Sequence, residues 1–142
     1  MMLDKETILK AENAVDNALE HLNKGLEYLN KAYNWGIADI MGGLLIVSIA
    51  KHKKLSSAKA ELDLARTHMN RLIKIMGSSR RSSEIRIPEK SFLTFSDIMI
   101  DNPISDIVAQ NKIDECRTKV EETITKMELI QQKLHEQKLM YL

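Results

Sequence analysis

NWGIADIMGGLLIVSIA, residues 34–50, is the most apolar run of the chain, and KHKK follows directly at 51–54. The run carries an aspartate, Asp39, and two adjacent glycines, Gly42 and Gly43. A membrane segment, a catalytic pocket and the packed centre of a helical protein are the three readings it invites. Its uncharged part, residues 40–50, is eleven residues long, whereas a helix needs about 20 to cross a bilayer. The sequence therefore predicts a short helix buried among longer ones.

Outward from this run, the flanks are helical in pattern. On the N-terminal side, residues 4–33 place Ile8, Val15, Leu22 and Leu29 seven apart. Ala11, Ala18, Gly25 and Ala32 form a second row at the same spacing. Leu19, Leu26 and Tyr33 widen the stripe, and Lys, Glu and Asn fill the other face. Asp4 is the expected N-cap, and the row of small residues implies close approach of a second helix. On the C-terminal side, Leu55, Leu62, Met69 and Met76 share one row and Ala58, Ala65 and Leu72 the next. Ser56 is read as the N-cap of this helix, and Gly77 as its stop.

A Ser- and Arg-rich segment, residues 78–91, follows and is read as a loop. A last long helix from Asp114 carries Ile113, Val120, Met127 and Leu134, with Cys116, Thr123 and Ile130 between them. Shifting the sequence by 58 residues aligns Asp39 with Asp97, Ile40 with Ile98, Met41 with Met99 and Lys54 with Lys112. Ser56 and Asp114 then match as helix starts, which suggests an internal repeat of a short and a long helix. The expected architecture is an all-α, single-domain bundle of about five helices over residues 1–142. Its parts are a long helix 4–33, a first short/long unit 34–77, the loop 78–91 and a second unit 92–142.

Composition sets bounds on function. A formal net charge of +1 in 142 residues gives no general polycation for nucleic acid or anionic membranes, so no nucleic-acid partner is expected. The single cysteine, Cys116, excludes an intramolecular disulfide and fits a reducing, cytoplasmic setting. The opening MMLDKETILK lacks the basic and apolar regions of a secretion signal.

Few residues look chemical. Asp39 and Asp97 are carboxylates in apolar stretches. Thr94, Phe95, Ser96 and Asp97 fit a capping box, and Asp39 holds the equivalent third position after Gly36. Gly42 and Gly43 lack the lysine and hydroxyl residue of a phosphate loop. In mid-helix each costs about 1 kcal/mol relative to alanine, which close packing would have to offset. Lys51 and His52 belong to a basic cluster, read as cations at a helix C-terminus with anion binding as the alternative. Neither the di-iron nor the zinc helix motif is present around any of the four histidines, and His21, His68 and His135 read as scattered on helix faces. No cofactor or resident metal is expected. Trp35 is read as core, and Arg80, Arg81 and Arg86 as a solvated basic loop that an acidic partner could use.

These residues carry a resemblance. Asn34, Trp35, Gly36, Asp39, Gly42, Gly43, Lys51 and His52, with Phe95, Ser96, Asp97 and Asp101, resemble a family of uncharacterised α-helical bacterial proteins from Gram-positive organisms. That family carries an NWG-x-x-D-x-x-GGG element followed by a lysine–histidine pair. The chain departs from the element at Leu44, where a third glycine is expected, and at Asn102 and Pro103. The resemblance implies a bacterial cytoplasmic protein and no particular activity.

Taken together, the sequence favours a non-enzymatic interaction or structural protein, self-associating as a homo-oligomer, a dimer first, or binding another protein. Apolar stripes of the first and last helices that one chain leaves uncovered are the expected contact. A second reading is a small-ligand or metal-binding protein, a hydrolase among the options, using Asp39, Asp97, Asp101 and His52 beside the glycine pair. A third places an exposed Gly-rich helix on a membrane surface.

Overall fold

In the computed structural model the described residues are 3–42, 45–77 and 110–141, and their side chains are described over 3–34, 53–77 and 113–141. Among the described residues the protein is all-α, with three helices: α1 (Lys5–Gly42), α2 (Leu45–Met76) and α3 (Gln110–Leu139). Both later helices pack against α1. Direction follows from paired side chains. Gly25 meets Leu62 and Asn13 meets Arg71, so α2 runs antiparallel to α1. Glu12 pairs with Lys138 and Asn30 with Arg117, so α3 is antiparallel to α1 as well.

The heptad rows form the core. Ile8, Val15, Leu22 and Leu29 on α1, Leu55, Leu62, Met69 and Met76 on α2, and Ile113, Val120, Met127 and Leu134 on α3 are all buried. So are the second rows, including Ala11, Ala18, Ala32, Ala58, Ala65, Leu72, Cys116, Thr123 and Ile130. Apolar burial at helical spacing is what makes each helix stable in this context. The stripes predicted to await a partner are thus covered within one chain.

The small-residue row performs the close packing that its spacing implies. A Cβ built on Gly25 would lie 2.4 Å from Leu62 Cδ2 and 2.7 Å from its Cγ. Only glycine lets the Leu62 side chain seat against the α1 backbone. At the start of α1, Asp4 Oδ1 accepts a hydrogen bond from the Thr7 backbone N–H at 2.8 Å, confirming the cap. That bond holds the Asp4 carboxyl below its ordinary range. Gly77 follows the end of α2, donating its N–H to the Lys74 carbonyl at 3.2 Å.

The middle of the hairpin differs from the sequence reading. α1 does not stop at residue 33 but continues through Gly42, and α2 starts at Leu45 rather than at Ser56. No separate short helix lies between them. The apolar run instead supplies the last turns of α1 and the first turns of α2, and the chain reverses between Gly42 and Leu45. Gly42 is thus the last residue of α1, a usual place for glycine, and Gly43 lies outside the described residues. Ser56 lies within α2 and is exposed there. Asp114 lies within α3, where its carboxylate pairs with Arg117 at 3.4 Å. With both expected starts inside helices, the matched caps that suggested an internal repeat are lost, and the five-helix count is not supported. The predicted loop 78–91 and the second short helix, with Asn102 and Pro103, lie outside the described residues.

Candidate functional site

Six of the sequence candidates flank the hairpin reversal. Trp35, Asp39 and Gly42 fall in the final turns of α1, and Lys51 and His52 in the second and third turns of α2. Gly43 stands between them in the chain and lies outside the described residues. Asp39 is near the C-terminal end of a helix, where the macrodipole opposes an acid, so the first-turn capping role assigned to it does not apply. Likewise Lys51 and His52 stand at the start of α2 and not at a helix C-terminus. Asp97 and Asp101 lie outside the described residues, as do the side chains of Trp35, Asp39, Lys51 and His52. Among the described residues no three His, Cys, Asp or Glu side chains form a group able to hold a metal ion. No helix of the described residues is long and apolar enough to cross a membrane.

The structure assembles a polar site that the sequence reading missed. His21 on α1 and His68 on α2 stack with centroids 5.6 Å apart and rings 3° from parallel. His21 Nδ1 lies 2.7 Å from Glu61 Oε2, linking the two helices. Further along the same seam, an Arg71 NH2 group donates to Asn13 Oδ1 at 2.6 Å. Glu20 takes Lys24 at 3.1 Å, which lowers the Glu20 carboxyl and raises the Lys24 amine. His68 is pushed below the ordinary imidazole range, first by desolvation and then by the Arg71 charge. The pairing was legible in principle. Gly25 and Leu62 are equidistant from the Gly43–Leu44 junction, and His21 and His68 are nearly so. A reversal placed at the glycine pair would have brought the two histidines together.

The α1–α3 seam has a different character. Arg117 lies over the Tyr33 ring at 4.2 Å and donates from Nε to Asn30 Oδ1 at 2.8 Å. Gln131 donates to Asp16 at 2.8 Å, and Lys138 pairs with Glu12 at 3.2 Å. Gln137 accepts the Leu3 N–H at 3.1 Å, and the Tyr141 hydroxyl donates to the Leu3 carbonyl. Both ends of the described chain are held together in this way.

At that same end, where α1 begins and α2 and α3 finish, apolar side chains remain in solvent. Leu9 is 45 % exposed, Leu139 50 % and Met140 65 %. Leu9 and the half-buried Ile75 line one groove with Lys10, Asn13 and Arg71. The Glu12–Lys138 pair brings Leu139 to the same level of the bundle as Leu9. Among the described residues the fold is a helical bundle in which α2 and α3 each run antiparallel to α1, with a few exposed apolar side chains where α1 begins. The chain matches no protein-family model, no curated protein and no solved structure at a significant level.

Proposed function

We propose that this protein is a non-enzymatic helical interaction module that associates with a second copy of itself through the end where α1 begins. The observation that carries this reading is the set of apolar side chains left in solvent where α1 begins and α3 ends, Leu9, Leu139 and Met140, with the half-buried Ile75 beside Leu9, on a bundle whose heptad core is filled. Exposed leucines also stand elsewhere, at Leu64 and Leu129, and singly they are ordinary; Leu9 shares its groove with Ile75, and joined apolar surface of this kind suits a contact. Their surroundings carry both signs, with Glu6 and Lys10 paired at 3.0 Å and Arg71 close by. A mixed rim of this kind suits an isologous dimer, in which each charge can face its opposite across a two-fold axis. The family resemblance and a cytoplasmic setting belong to the same proposal and rest on the Asn34–Trp35–Gly36 element and the single cysteine.

Native mass spectrometry and sedimentation velocity at micromolar concentration test it. A dimer is expected, and Leu9→Glu combined with Leu139→Glu is expected to give a monomer with an unchanged urea midpoint. Wild-type protein that remains monomeric at tens of micromolar would overturn the self-association reading.

A further inference from the structure

We propose that the stacked His21–His68 pair is a proton-responsive seam between α1 and α2, closed when His68 is neutral and loosened when it takes up a proton. The geometry makes the two rings unequal. His21 Nδ1 is 2.7 Å from Glu61 Oε2, so a proton on His21 sits beside a carboxylate. His68 Nδ1 is buried, and no partner among the described residues lies within hydrogen-bonding distance of it. In the neutral ring that nitrogen can carry its lone pair, with the proton on the other ring nitrogen. Protonation forces an N–H onto Nδ1, a buried donor without an acceptor.

The charges around His68 point the same way. From α1 it faces His21 and Glu20, with Lys24 next to them; from α2 it faces Arg71, and Glu61 reaches the site through His21. Glu20 is the nearby anion, but Lys24 holds it at 3.1 Å. Among the described residues Arg71 has as its hydrogen-bond partner the neutral amide of Asn13 rather than a carboxylate. A protonated His68 therefore confronts Arg71, and His21 when that ring is charged, across a ring separation of 5.6 Å. α3 lies along the other flank of α1, through Asp16, Asn30 and Tyr33.

The direction of the pH effect follows from linkage. A histidine that resists protonation in the fold binds more protons when unfolded, so its contribution is complete above the ordinary imidazole range. It is lost as pH falls through about 6.5 and below. Histidine is suited to such a device because its charge changes within this window.

Urea unfolding of the full chain between pH 7.5 and pH 5, compared with His68→Phe, tests the proposal. Phenylalanine keeps a ring for His21 to stack on and removes the titration. The wild-type midpoint is expected to fall on acidification by more than that of His68→Phe. Parallel curves for wild type and His68→Phe would overturn the proposal. Should the phenylalanine variant not fold, NMR titration of the His68 ring in the wild-type protein decides the matter. Titration below that of a histidine in the urea-unfolded chain supports the seam, and titration at or above it overturns it.

Discussion

The two seams along α1 achieve helix pairing in different ways. Against α2, α1 offers glycine and alanine, and Leu62 seats where a Cβ on Gly25 would stand. Against α3, the buried rows are flanked by directional polar clamps: Arg117 on Asn30 and Tyr33, Gln131 on Asp16, Lys138 on Glu12, and Gln137 on the Leu3 amide. Polar links cross the first seam too, Arg71 on Asn13 and His21 on Glu61, but the close approach at Gly25 is what distinguishes it, whereas the second is distinguished by its clamps. A seam set by shape tolerates no added volume, because packed interiors have little free space. A seam set by clamps should yield gradually, one contact at a time.

Gly25→Ala offers the strongest way to break this contrast. Overpacking a core typically costs about 1–3 kcal/mol, while alanine recovers up to about 1 kcal/mol of helix propensity. Leu62 is fully buried, so its side chain has little freedom to move away. We expect a net loss of roughly 1–2 kcal/mol by urea denaturation; a neutral or stabilising result would show that the α1–α2 seam is not set by close approach. On the α3 side, Arg117→Ala is expected to cost about 1 kcal/mol through the lost ring contact and the lost bond to Asn30. Arg117→Lys should recover only part of this, because lysine lacks the planar fork. Full recovery would reduce the clamp to a simple charge.

The smallest effect is expected at Asp4, at the fully exposed start of α1 and common to both seams. Asp4→Ala should lower stability slightly at neutral pH and not at all in strong acid. The folded carboxyl is held below its ordinary value by the Thr7 amide, so its contribution is present above that ordinary value and lost as pH falls through the lowered one. Thermal melts at pH 7 and pH 2 check this, and an equal deficit at both would remove the cap from the account.

The core was readable because period-seven rows survive any error in helix ends: every residue placed in a row, from Ile8 to Leu134, is buried or, like Gly25, packed tight. Helix ends were less readable. A glycine pair in an apolar run fits a close approach and a helix stop equally well, and it did not reveal that α1 runs on to Gly42 and that α2 begins at Leu45. Ser56 misled because an exposed serine costs a helix interior little, and Asp114 because an acid inside a helix can pair three residues on, here with Arg117. The histidine site stayed hidden for the same reason. Without the position of the reversal, His21 and His68 are two residues 47 apart on separate helices. Of the candidate residues around the reversal, the sequence named the types while the fold reassigned the helix ends on which they stand.

A double-mutant cycle on Gly25→Ala and Leu62→Ala tests the α1–α2 register most directly. With Leu62 shortened, the added methyl at position 25 has room, so its cost should vanish or change sign, leaving a coupling energy of about 1–2 kcal/mol between the two sites. Costs that simply add in the double mutant would mean that residues 25 and 62 do not meet, and the hairpin register described for this protein would be wrong.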